Sequence, residues 1–151
     1  MKKTLIVAAS CLLALPLALV AQTSVAKAFV GTWKFNLAKS QFPGNPPVVD
    51  EAIISPDGRI TVNEEGQSGK KTTWTYMPID GQAVPVEGRN NVTVIAKKVS
   101  DHRTEQTWNM NGKTVTSFAV VSKDGKTQTF HMDSVDKDGK PTNEVVVYDK
   151  Q

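Results

Sequence analysis

The chain has 151 residues, with 18 basic and 15 acidic side chains and a single cysteine. That is room for one domain, and a formal charge of +3 is too small for a nucleic-acid-binding surface. One cysteine, Cys11, excludes an intrachain disulfide and a multi-thiolate zinc site.

Lys2 and Lys3 precede an apolar run from Leu5 to Val20, and two small-x-small sites follow, Ser24-Val25-Ala26 and Ala26-Lys27-Ala28. This is the layout of a secretory signal peptide over residues 1–28, with cleavage after Ala26 or Ala28. The run is about 16 residues, short of the roughly 20 that a membrane span needs. The expectation is export to the periplasm or outside the cell, with no stable membrane insertion after cleavage. Residues 29–151 then form the folded domain, without a cysteine. Losing Lys2, Lys3 and Lys27 leaves 15 basic residues against 15 acidic ones, so the basic character belongs to the leader.

The first segment of the folded domain is Phe29-Val30-Gly31-Thr32-Trp33-Lys34-Phe35-Asn36, a short apolar strand carrying a Gly-x-Trp. One helical turn at Leu37–Ser40 is all that Pro43, Pro46 and Pro47 permit after it. The rest is rich in Val, Thr, Ile and aromatics in short runs. Strands are predicted near 29–36, 48–55, 59–65, 70–77, 82–87, 91–98, 103–110, 113–122, 126–135 and 143–149. Asp57-Gly58, Asp80-Gly81, Asn111-Gly112, Asp124-Gly125 and Asp138-Gly139 are hairpin-type dipeptides between such runs. They predict an all-β, up-and-down antiparallel meander. Closing it into a barrel of about 8–10 strands removes two long exposed edges.

The turns also set a register. A two-residue loop at Asn111-Gly112 pairs Trp108 with Val115 and Gln106 with Ser117. A two-residue loop at Asp124-Gly125 pairs Val121 with Gln128, Ala119 with Phe130 and Ser117 with Met132. Partners share a face, so Gln106, Trp108, Met110, Val115, Ser117, Ala119, Val121, Phe130 and Met132 point inward. Phe118, Val120 and His131 point outward. By the same rule a two-residue Asp57-Gly58 turn puts Ile53, Ile60 and Val62 inside and Ile54 outside. Trp74 and Tyr76 share a face and are assigned inward.

A signal peptide followed by Gly31-Thr32-Trp33 on the first strand of a meander resembles the lipocalin-like (calycin) proteins. The stretch from Gly31 to Phe42, and the ending from Val121 through Asp138-Gly139 to Val145-Val146-Val147-Tyr148, is similar to small secreted bacterial proteins described as lipocalin-like. The resemblance implies a barrel of lipocalin or fatty-acid-binding type in which Gly31 and Trp33 plug one end. An Arg near the last strand commonly covers that Trp in lipocalins. Arg59, Arg89 and Arg103 all lie too early, which leaves Lys150 as the substitute.

No catalytic motif occurs. Gly66-Gln67-Ser68-Gly69 lacks a nucleophile elbow and reads as a hairpin turn. Asp136-Lys137-Asp138-Gly139 lacks the glycine and the bidentate Glu of a calcium loop. Glu64 and Glu65 are adjacent and face opposite sides of a strand. His102 falls in a turn and His131 on the outer face. No enzyme activity, cofactor or metal is therefore expected. The expected partner is a small hydrophobic or amphipathic ligand held by Trp74, Tyr76, Gln106, Trp108, Ser117, Phe130 and Met132. Two alternatives stay open: a solid barrel that acts as an interaction or inhibitor module through Ile54, Phe118 and Val120, or an enzyme built on a lipocalin scaffold.

Overall fold

A computed structural model describes residues 25–41, 45–135 and 140–151; the expected signal-peptide helix and the Asp138-Gly139 turn lie outside them. Ten strands follow one another: β1 (Gly31–Phe35), β2 (Val49–Ile54), β3 (Ile60–Glu65), β4 (Lys71–Tyr76), β5 (Ala83–Pro85), β6 (Val92–Ser100), β7 (Arg103–Met110), β8 (Lys113–Val121), β9 (Thr127–Val135) and β10 (Pro141–Lys150). The sheet order is β4-β3-β2-β1-β10-β9-β8-β7-β6-β5, every pair antiparallel, so the last strand returns to lie beside the first. Only the seam between β4 and β5 lacks a ladder. Two backbone bonds bridge it, Thr75 N–H to Glu87 O at 2.9 Å and Glu87 N–H to Thr75 O at 2.8 Å. The product is a nearly closed up-and-down barrel.

Turn chemistry explains the register. Asn111 and Gly112 both take positive φ, 53° and 83°, as a two-residue type I′ loop requires, and Met110 pairs with Lys113. Around Asp124-Gly125, Ser122 N–H donates to Thr127 O and Gly125 N–H to Ser122 O, so the loop is Lys123-Asp124-Gly125-Lys126, four residues instead of the two expected, with the same register. Ser117 therefore pairs with Met132, and Ala119 with Phe130. The inward faces of β7, β8 and β9 are those expected from the sequence.

The turn between β2 and β3 differs. Ser55 N–H donates to Arg59 O and Gly58 N–H to Ser55 O, so the loop is Pro56-Asp57-Gly58, one residue longer than expected. A two-residue loop would pair Pro56 with Arg59 and demand an N–H that proline lacks. In the longer loop Pro56 opens a type I turn, where its fixed φ fits. The single-residue shift inverts β2. Ile54 pairs with Ile60 and is buried, at 5% exposure, while Ile53 takes the outer face and Asp50 pairs with the inward Glu64. Ile54 is thus unavailable as an exposed contact.

Asp80-Gly81 is not a hairpin tip either. The connection after β4 crosses to β6, where Gly81 N–H donates to Ala96 O and the Asp80 carboxylate accepts from Lys98 N–H at 2.9 Å. Gly88 then lets the turn after β5 lie against β4. Its φ is +85°, and a Cβ there would collide with the carbonyl of Thr73. That approach carries Arg89 over Trp74.

Trp33 is fully buried, at 0% exposure. Its indole N–H donates to Phe29 O at 2.7 Å, from a 3₁₀ turn, Lys27–Phe29, that buries Ala26 and Phe29 against the core. Lys150 crosses the other side, its Nζ 4.9 Å from the ring centroid. Gly31 makes room for that stem: φ is +139°, and a Cβ would lie 2.6 Å from Lys150 Cε. Gly31→Ala should cost about 1–3 kcal/mol in urea unfolding. In a Gly31→Ala/Lys150→Ala double variant the loss should be smaller than the sum of the singles, because the clash is gone.

Candidate ligand-binding cavity

Inward residues of all the longer strands leave a cavity of about 190 Å³ inside the barrel. Its wall is mainly apolar: Val25 and Phe29 from the N-terminal turn, Ile54, Ile60 and Val62 from the β2–β3 hairpin, and Ala119, Phe130, Met132 and Val146 opposite. Trp74, Tyr76 and Trp108 form a mutual aromatic cluster. Trp74 stacks on Tyr76 with centroids 6.0 Å apart, and Trp108 meets both edge-on at 5.9 and 5.5 Å. Each such contact adds about 0.5–1.5 kcal/mol beyond area burial, which makes this side of the cavity stiff.

Of the seven residues assigned to a ligand from the sequence, Trp74, Tyr76, Gln106, Trp108, Phe130 and Met132 line this cavity. Ser117 faces inward and is buried, but it sits behind Trp108 and Gln106. Trp108 Nε1 donates to Gln106 Oε1 and Ser117 Oγ, both at 3.2 Å, and Ser117 Oγ lies 3.4 Å from Gln106 Oε1. Ser117 thus orients the wall. Gly31 and Trp33 lie outside the cavity lining.

A second polar group, which the register expected for β2 does not bring together, lies on the opposite wall. Glu64 on β3 pairs with Asp50 on β2, and Tyr148 on β10 pairs with Gln128 on β9. The Tyr148 hydroxyl donates to Asp50 Oδ2 at 2.7 Å across the intervening β1, joining the two pairs into an arc along the cavity wall. At its end, Arg89 Nη2 grips Glu64 at 2.9 and 2.7 Å and its guanidinium lies 4.7 Å from the Trp74 centroid. Inverted parity on β2 hid Asp50. The Pro56 signal described above would have revealed it.

Electrostatics single out Asp50. Burial raises its pKa from the ordinary 3.8 to about 6; the Tyr148 hydrogen bond opposes the rise, Glu64 adds to it and Arg89 reduces it. Burial, with Asp50's charge and hydrogen bond, pushes the Tyr148 phenol well up. Burial alone pushes up the Tyr76 phenol.

Three buried polar atoms have no protein partner among the described residues: Asp50 Oδ1, Trp74 Nε1 and Gln128 Oε1. All three belong to cavity-lining residues. Leaving such a group unsatisfied costs about 1–3 kcal/mol each, and native structures rarely leave one unsatisfied without a reason. The pairing of a stiff aromatic wall with unmet polar atoms suits a chamber that receives a molecule. Among the described residues no cluster of His, Cys, Asp and Glu could hold a metal ion. His102 is tied to Val121 O at 3.2 Å in its turn, and His131 stacks on Phe118 outside the barrel at 4.4 Å.

No protein-family model and no curated protein matches the sequence. Solved structures do match. A Schistosoma mansoni fatty acid binding protein, solved with arachidonic acid, is similar over 83% of this chain and 97% of its own, at 18% identity and a TM-score of 0.56. The wild-type fluorescent protein UnaG is similar over 82% of this chain and 97% of its own, at 18% identity and a TM-score of 0.54. The fold is that of a fatty-acid-binding-protein-like β-barrel.

The pKa of Asp50 makes a testable claim about stability. A folded pKa of about 6 against 3.8 means that the native state binds the proton more tightly than the unfolded state. Stability therefore falls as pH rises from about 4 to 6 and stays lower above that. At about 1.4 kcal/mol per pH unit of displacement the cost at pH 7.5 is about 3 kcal/mol. Asp50→Asn, which can still accept from Tyr148, should match the wild type in urea midpoint at pH 4 and exceed it at pH 7.5. Equal midpoints at both values would refute the buried carboxylate's role.

Proposed function

We propose that this protein is a non-enzymatic carrier or receptor that holds a small hydrophobic or amphipathic molecule inside its barrel. The observation that carries the reading is the 190 Å³ chamber, walled by Trp74, Tyr76, Trp108 and Phe130 and furnished with three unpartnered polar atoms. An apolar body is transferred from water at a gain of about 25 cal/mol per Å² buried, and a few placed polar groups set its orientation. The Schistosoma barrel, with its arachidonic acid, supplies a precedent for cargo in this fold. The leader pattern of residues 1–28 supports export and removal of the leader after Ala26 or Ala28, with the carrier acting in the periplasm or outside the cell. A solid barrel working through its outer face is less well supported, since Ile54 belongs to the cavity wall and Phe118 is half-covered by Arg103 and His131.

Native mass spectrometry of protein purified from its own host should show a noncovalent adduct that organic extraction removes. The neutral fluorophore N-phenyl-1-naphthylamine should bind and light up. Trp108→Ala should weaken that binding about tenfold or more, while Phe118→Ala on the outer face should change it less than twofold. Loss of binding on Phe118→Ala with none on Trp108→Ala would move the site out of the barrel. Absence of both adduct and dye binding would remove the carrier reading.

A further inference from the structure

The charges around the cavity limit what its occupant can be. Among the described lining residues there is no Lys, Arg or His, while two carboxylates, Asp50 and Glu64, are present. Glu64 is paired with Arg89, whose Nη2 donates to both carboxylate oxygens, and the cation is thereby engaged at the end of the arc. Asp50 has only the neutral Tyr148 hydroxyl on Oδ2 and nothing on Oδ1. Gln128, one strand beyond Tyr148, is buried to 6% exposure and presents an unpartnered amide oxygen. Two of the three unmet atoms are therefore acceptors, one of them on a carboxylate. A third, Trp74 Nε1, is a donor.

An anionic head group fits this arrangement badly. Of the three unmet atoms it could accept from Trp74 Nε1 alone, and it would face Asp50 in a medium that screens charge poorly. A head group that donates hydrogen bonds has an unmet acceptor in Asp50 Oδ1 and another in Gln128 Oε1, and a hydroxyl can accept from an indole N–H as well. The apolar body would then lie against Phe130, Met132 and the aromatic cluster. We propose that the cavity selects small amphiphiles whose polar end donates hydrogen bonds and carries no negative charge, such as an amine or an alcohol, over carboxylates of the same size. The proposal rests on the carrier reading and narrows it.

Three probes with one chain length separate the possibilities: decylamine, decanol and decanoate, each titrated against bound N-phenyl-1-naphthylamine at pH 7.5 with the intact domain. Decylamine and decanol should displace the dye at concentrations at least tenfold lower than decanoate. A lead of the amine over the alcohol assigns the selection to charge on Asp50; equal strength assigns it to hydrogen-bond donation. Asp50→Asn should narrow the gap between amine and decanoate by fivefold or more, and Gln128→Leu should weaken the alcohol. Decanoate binding as well as or better than decylamine and decanol would overturn the selectivity and leave the carrier reading in place. If the dye binds and none of the three displaces it, the head-group assignment falls. If the dye does not bind and no co-purifying adduct is found, the carrier reading falls and takes this one with it. The wild-type series decides the matter even if a variant fails to fold.

Discussion

Everything else in this barrel depends on how Trp33 is held. Its N–H is tied to the Phe29 carbonyl on one side and its ring is covered by the Lys150 stem on the other. These two contacts fix β1 between β2 and β10, and so turn a ten-strand meander into a ring. Gly31 is required because no side chain fits beneath Lys150. Around the same strand Asn36 and Lys39 both reach Asp149, holding its carboxyl below the usual range, so the connection after β1 is stapled to β10 as well.

The interior divides its polar atoms unequally. Trp108, Gln106 and Ser117 satisfy one another and act as part of the wall. Across the chamber the Glu64–Asp50–Tyr148–Gln128 arc is incomplete. A barrel of this size could be filled by aliphatic side chains at no such cost. Retaining a buried carboxylate without a cation lowers stability at neutral pH. Buried groups with displaced pKa values cluster at functional sites, where stability gives way to the chemistry of the site.

Much of this was legible from residue order, and the failures have identifiable causes. Local chemistry set the strands and the register of β7, β8 and β9, because Asn111-Gly112 and Asp124-Gly125 admit few alternatives. Trp74 and Tyr76 could be placed together since alternation alone puts them on one face. The face of β2 was inverted by one residue of loop length, which kept Asp50 out of view, a local error that the missing N–H of Pro56 could have prevented. Other features were out of reach. The Arg89 contacts to Glu64 and Trp74 join distant hairpins across the seam, and Asp80 latches onto β6 instead of turning a hairpin. Such pairings depend on how the sheet curls, which no short window of sequence encodes. The exchange of Arg for Lys150 over Trp33 was open to inference from position, and its geometry was not.

The pairing of the first strand with the last also governs when the ring can form. Asn36 and Asp149, which hydrogen-bond at 2.6 Å, stand 113 residues apart. A ribosome delivers β1 long before its partner exists, and contacts of such sequence separation come late and slowly. Until β10 emerges, β1 can add to β2 but the circle stays open, with the apolar faces of the hairpins exposed. Ring closure is therefore the last event of folding: the topology itself keeps the polypeptide open until β10 is free to pair with β1.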